Sequence, residues 1–331
     1  MSKLHLTLAC GDYDRTKTLQ DGSLSPDGIA LNYLPLEAEE IFWRMGHHQE
    51  FHASEMSLSN YITMTSRGES PFIAIPVYPS RYFRHSCVFI NTDRGLDKPE
   101  DLSGKRIGVA EYAMTAAVWI RGFMSDDHGI KASDVQWFTG GQEVPGRKER
   151  IELRLPPEIK VQPIPQDRTL NDMLNKGELD ALVSARIPSC YSAGAPHIRR
   201  LFPDFKSVEI DYYRRTQLFP IMHTVVIRKD VYEANPWVAR SLYTAFCQSK
   251  DDAFARMNIN NTMASTLPWL QAEIALLRDV FGDDWWPYGI EPNRHVIESL
   301  IRYMGEQGLL AEKIPTVEDL FAPSLIGDYR L

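Results

Sequence analysis

Apolar and polar residues alternate over positions 4–9 and again over 29–34, the period of two that predicts β-strands. Further on the period lengthens. Positions 39–45 and 58–66 predict helices, and short strands are expected at 51–54 and 72–78. A strand at 86–91 then crosses into a second series. It contains strands at 105–110, 135–138 and 179–184 and helices at 115–127 and 169–175. The stretch 140–157 breaks both periods and carries charge and proline. An apolar strand at 221–228 returns the chain to the first series. The last hundred residues predict helices around 237–257, 269–281 and 294–306, with Pro236, Pro268 and Pro292 near their starts, where proline is tolerated.

Strands alternating with helices imply an α/β fold with mostly parallel sheets. The two crossings, near 84–92 and 218–228, divide the chain into two lobes. Residues 1–88 and 224–331 form a discontinuous outer lobe with a helical C-terminal part, and 89–223 an inserted inner lobe. Ligands in open α/β sheets bind beyond the carboxyl ends of the strands. A cleft between the lobes, built from the loops after these strands, is therefore expected. No internal repeat or low-complexity tract interrupts this pattern.

Composition narrows the partners. The 331 residues suffice for a core in each lobe, and the net charge of −8 disfavours nucleic acid and anionic membrane. No stretch reaches the ~18 apolar residues of a membrane span. The N-terminal run MSKLHLTLACGDYD reads as a first strand rather than a signal peptide. Cys10, Cys87, Cys190 and Cys247 form no CxxC pair and read as free thiols of a reducing compartment. The expectation is a cytoplasmic protein.

Six segments narrow the fold: DYDRTKTLQDG (12–22), ASEMSLSNYI (53–62), PSRYFRHS (79–86), DLSGKRIGVAEYAMTAAVWIRGFM (101–124), GELDALVSARIPS (177–189) and FPIMHTVVIRKDVYEANPW (219–237). Together they resemble the two-lobed type II periplasmic-binding-protein fold. In FRHS, the TAAVWIRG helix and PIMHTVVIR they resemble its cytoplasmic enzyme branch, the 4,5-dihydroxyphthalate decarboxylases. The resemblance implies non-oxidative loss of one carboxylate from a hydroxylated aromatic dicarboxylate in phthalate degradation. It implies no organic cofactor. The competing reading is a non-catalytic binding or sensor protein for an aromatic acid.

Such a reaction needs an acid to protonate the ring carbon and an anchor for the remaining carboxylate. Arginine suits the anchor because its planar fork bonds both oxygens. Arg81 and Arg84 lie at the first crossing, Arg186 follows the 179–184 strand, and Arg15 follows the first strand. Alternation puts Arg84 on one face with Tyr82 rather than with Arg81. Histidine suits proton transfer near neutral pH. His85 and His223 sit in the two crossings, and His223 interrupts an apolar run, though each is also readable as a core histidine. Glu55, after the 51–54 strand, accepts a phenol proton or holds a histidine. Ser57 caps the following helix or donates to the ligand. Glu111, Tyr112 and Thr115 mark a strand-to-helix turn whose free N–H groups suit an anion. Gly141 lets backbone approach the ligand.

The tract His47, His48, His52 fits no zinc spacing. No metal site is assigned, and a divalent ion held by catechol oxygens stays open. The helical C-terminal third, with Trp269, Trp285 and Trp286, is read as the interface of a homo-oligomer.

Overall fold

The computed structural model describes residues 3–259 and 265–326. The chain lays down β1 (Leu4–Cys10), α1 (Lys17–Gln20), β2 (Ile29–Pro35), α2 (Ala38–His48), β3 (Ala53–Ser57), α3 (Leu58–Ser66) and β4 (Phe72–Arg81). It then crosses to β5 (Val88–Asn91), β6 (Arg106–Val109), α4 (Thr115–His128), β7 (Gln136–Thr139), β8 (Lys160–Pro163), α5 (Leu170–Asn175), β9 (Ala181–Val183), α6 (Ser189–Ser192), β10 (Ile198–Arg200) and α7 (Phe205–Thr216). It returns through β11 (Ile221–Arg228) into α8 (Lys229–Ala234), α9 (Trp237–Met257), α10 (Leu270–Phe281) and α11 (Arg294–Glu306).

Two sheets result, a five-stranded one ordered β2-β1-β3-β11-β4 and a six-stranded one ordered β10-β5-β9-β6-β7-β8. The β1–β2 and β1–β3 pairs are parallel, and β11 runs antiparallel between β3 and β4. In the second sheet β9, β6, β7 and β8 are parallel, while β5 and β10 are antiparallel to their neighbours. The 140–157 stretch contains no regular element and runs between β7 and β8.

Two elements differ from the sequence reading in ways that matter for the site. The strand expected at 51–54 starts at Ala53, because the backbone N–H of Thr7 donates to His52 Nδ1 at 3.0 Å before the β1–β3 ladder begins. Glu55 therefore lies within the strand, fully buried. The strand expected at 86–91 begins at Val88 and is preceded by a 3-10 turn, His85–Cys87. Helix α7 and strands β8 and β10 went unseen. Helix α7 buries only Tyr212 and β8 buries nothing, so neither writes a face onto the sequence.

The core is continuous through the first sheet, α4, α9 and α11. Helix α4 packs closely on α11: a Cβ placed on Gly122 would lie 2.3 Å from the Tyr303 ring. The four cysteines are free. Among the described residues no helix is long and apolar enough to cross a membrane.

Candidate active site

The register of β3 against β11 builds the centre. His223 pairs with Ser57 and Val225 with Glu55, so Glu55, Ser57 and His223 project from one face of the sheet. Glu55 and His223 are diagonal neighbours there, and Glu55 Oε1 meets His223 Nδ1 at 2.5 Å. The same carboxylate accepts from the Tyr13 hydroxyl at 2.7 Å, from the Gly11 backbone N–H at 2.9 Å and from the Cys10 thiol at 3.5 Å. Gly11 is required at this point. A Cβ there would come within 2.6 Å of the Tyr13 ring, which folds back over it to reach Glu55.

Burial alone would push the Glu55 carboxyl up, but the hydrogen bond and charge of His223, with the N–H of Gly11, outweigh it and hold the group below its ordinary value. Burial and the neighbouring Glu55 charge push the Tyr13 phenol up, so Tyr13 stays a hydrogen-bond donor. With Nδ1 committed to Glu55, Nε2 is the ring nitrogen without a partner among the described residues.

A closed circuit of contacts starts and ends at His223. Opposite it, Ser57 Oγ lies 2.9 Å from Thr115 Oγ1. Ser59 Oγ is also 2.9 Å from Thr115 Oγ1 and donates to the Ala113 carbonyl at 2.6 Å. These bonds bring the start of α3, from the first sheet, against the start of α4, from the second. Four residues before Thr115, Glu111 is buried and grips two arginines of the irregular stretch. Arg147 donates to its Oε1 through Nε at 2.9 Å and Nη2 at 2.6 Å, and Arg150 Nε donates to Oε2 at 2.8 Å. The Arg150 guanidinium lies 5.4 Å from the Phe42 ring centre, and Phe42 meets His223 edge-on at 4.9 Å. Arg150 Nη1 is buried with no hydrogen-bond partner among the described residues. A buried donor left unpaired is costly, and an anion that reached it would satisfy it.

Helix α2 joins the cluster. Glu39 accepts from Arg147 Nη1 at 3.1 Å and lies 3.5 Å from Arg186 Nη2. Burial would raise the Glu39 carboxyl, but the two arginines hold it below its ordinary value. Glu149, between Arg147 and Arg150, accepts from the Tyr112 backbone N–H at 2.5 Å, and its Oε2 is buried without a partner. Burial, helped by the charge of Glu111, pushes its carboxyl up to about 7.

Of the residues singled out in the sequence, Glu55, Ser57, Glu111, Thr115 and His223 meet in this circuit. Arg147 and Arg150 were missed, because the stretch that carries them has no periodicity to aim a side chain. Other expectations need correction. His85 does not reach the cleft centre. Its side chain is 3% exposed and stacks on Phe123 at 4.0 Å, with Phe202 and Tyr212 around it. The Tyr112 side chain is core rather than cleft, its hydroxyl bonded to the Gln307 carbonyl and its ring under Arg121. Arg81 is buried beneath the cleft floor, donating to the Phe219 and Pro287 carbonyls at 3.2 and 2.8 Å and to Asn293. Burial lowers its guanidinium to about 10. Arg15 is sandwiched between Tyr13 and Trp286 and spends its donors on the Pro79 carbonyl and the Asp14 carboxylate. Arg186 is largely exposed and pairs, among the described residues, with Glu39. Arg84 is buried against Met222 and Cys87 sulfurs, 3.2 and 3.7 Å away, and over the Tyr82 ring, with no carboxylate partner among the described residues.

Gly141 serves a turn rather than a ligand approach. A Cβ on it would lie 1.7 Å from the Val144 carbonyl oxygen, so the turn that launches the arginine stretch closes only over glycine. Gly141→Ala is expected to weaken binding of a carboxylate at Arg150 by about tenfold or more, because it displaces Arg147 and Arg150. Gly46→Ala, where the new methyl meets nothing within 4 Å, should bind normally. Calorimetric titration of both variants checks this.

His85 yields a stability prediction. Burial lowers its pKa to about 4 from the ordinary 6.5. The native ring is thus neutral where the unfolded one charges. Stability is full above about pH 6.5 and is lost as pH falls towards 4, by on the order of 3 kcal/mol. Glu209, whose carboxyl burial raises to about 7, titrates nearby. The difference in unfolding free energy between wild type and His85→Phe isolates the histidine. That difference should shrink by this amount between the two pH values, and a flat difference would contradict the burial argument.

No family model matches the chain. A curated 4,5-dihydroxyphthalate decarboxylase of Comamonas testosteroni is 40% identical to it over 331 residues, covering all of both chains. The chain belongs to the 4,5-dihydroxyphthalate decarboxylase family. A second curated member, from Pseudomonas putida, is 46% identical over 214 residues, 65% of this chain and 83% of that one. Among solved structures, the periplasmic aliphatic sulphonate binding protein of Escherichia coli matches with a TM-score of 0.52 and 11% identity, over 98% of this chain and 99% of that one. That likeness shows the fold, the two-domain α/β architecture of periplasmic binding proteins. In this member of the decarboxylase family, the Glu55–His223 pair lies on the first sheet and the Glu111–Arg147–Arg150 cluster beside the start of α4.

Proposed function

We propose that the protein removes one carboxylate from 4,5-dihydroxyphthalate, or a closely related hydroxylated aromatic dicarboxylate, as a carboxy-lyase of phthalate degradation. The observation that carries the reading is the buried Glu55 carboxylate on His223 Nδ1, at 2.5 Å. It fixes the tautomer and steadies the protonated ring, so Nε2–H delivers a proton to the ring carbon that loses its carboxylate. The electron pair of the breaking C–C bond returns to the ring, CO2 leaves, and the carbon takes the proton. Solvent then reprotonates His223. The products are protocatechuate and CO2, and the ring itself accepts the electrons, so the reaction calls for no organic cofactor.

The anchors follow from charge. Arg150, with its free Nη1, takes the carboxylate that stays. The hydroxyls of Ser57 and Thr115 and the starts of α3 and α4 offer donors to the one that leaves. Phe42, packed on His223, keeps that side of the site apolar. The curated relatives named decarboxylases support this reading over a non-catalytic sensor. Free thiols, three of them buried, suit a cytoplasmic enzyme. Acidic and carrying an exposed Trp269, the chain would act on a small molecule, without nucleic acid or membrane, as a homo-oligomer, although Trp285, buried against Phe254, and Trp286, bonded to the Tyr78 carbonyl, pack within the chain. Release of CO2 and protocatechuate in equal amounts tests the reading. Tight binding of 4,5-dihydroxyphthalate without release would contradict it.

A further inference from the structure

Between α2 and the 146–150 stretch lies a second hollow, about 530 Å³, that shares Glu111, Arg147 and Arg150 with the circuit around His223. Its outer wall is one stripe of α2. Glu39, Trp43 and His47 recur every four residues and so face the same way. Trp43 is 50% exposed, although it is the largest apolar side chain on the helix. One face of it carries the His47 ring, stacked at 4.9 Å with 25° between planes, and the His47 Nδ1–Trp43 carbonyl contact of 3.0 Å fixes the pair. Across the hollow Lys148 is exposed and pairs with no carboxylate among the described residues. The His48 ring also meets the indole edge-on at 4.9 Å, and the half-exposed ring that remains, across from an unpaired ammonium, suits an aromatic anion better than bare water. The volume lies within the ~300–1,000 Å³ of small-molecule sites.

We propose that this hollow is an outer binding subsite for an aromatic carboxylic acid, in which Trp43 stacks on the ring and Lys148 meets a carboxylate. The ligand then passes the Arg147–Glu111–Arg150 cluster to reach His223. The choice of ligand rests on the decarboxylase reading, but the binding does not need turnover. Phthalate, which lacks the hydroxyls, serves as the probe. Its titration is followed by intrinsic fluorescence in wild type, Trp43→Phe, Lys148→Ala and His223→Ala. The expected result is a saturable quench in wild type that loses its Trp43 component in Trp43→Phe, shifts to several-fold higher phthalate in Lys148→Ala and persists in His223→Ala. No saturable quench in wild type, or the same depth and midpoint in Trp43→Phe, would overturn the subsite. Failure of 4,5-dihydroxyphthalate turnover would instead strike the decarboxylase reading and leave the titration intact.

Discussion

His223→Ala lowers turnover of 4,5-dihydroxyphthalate by about a thousandfold, the middle of the range for a positioned proton donor, while phthalate still binds within a few-fold of wild type. The asymmetry follows from the site. His223 supplies the moving proton, whereas the carboxylates are held elsewhere, by Arg150 and by the Ser57 and Thr115 hydroxyls. Its removal also strands Glu55, which keeps Tyr13, Gly11 N–H and Cys10 but loses its nearest partner. His223→Gln controls for that loss, because an amide can still donate a hydrogen bond to Glu55 yet has no proton acidic enough to transfer near neutral pH. Both variants should therefore be inactive, and the glutamine protein should melt nearer to wild type. Equal losses in turnover and phthalate affinity would remove His223 from the chemistry.

Arg150→Ala is the second large effect. Loss of a buried charged donor to a carboxylate costs about 2–3 kcal/mol, roughly 30- to 150-fold in kcat/KM. The loss should follow the carboxylate: phthalate affinity falls to match, and catechol affinity does not change. Arg150→Lys should recover only part, because an ammonium lacks the planar fork and cannot bond Glu111 and a ligand in the same geometry. If catechol binding fell as far as phthalate binding, Arg150 would merely brace the 146–150 stretch against Glu111.

The two sheets were legible because their strands are apolar on at least one face, as a period of two in β1 and β2 and as an apolar run in the buried β11. His223 stood out because it interrupts an apolar run, and Glu55 because a carboxylate just after a strand can hold a histidine. What the sequence lacked was the β3–β11 register, a long-range fact that makes these two residues partners. The same gap misplaced His85. Read as part of a strand, it pointed to the cleft, but it sits in a 3-10 turn that turns the ring into Phe123. Arg147 and Arg150 stayed hidden for a different reason. Their stretch is shaped by a glycine turn and by ion pairs to Glu111 and Glu39, neither of which repeats along the chain. The arginines at strand ends, Arg15 and Arg81, drew attention by position and turned out to be spent on backbone carbonyls and on the Asp14 and Asn293 side chains.

The most direct test is anaerobic incubation of metal-stripped protein with 4,5-dihydroxyphthalate in deuterated water. The account predicts catalytic release of CO2 and protocatechuate in equal amounts, with one deuterium at the vacated ring carbon, and no such release from His223→Ala. Binding without release, or release that His223→Ala retains in full, would contradict it.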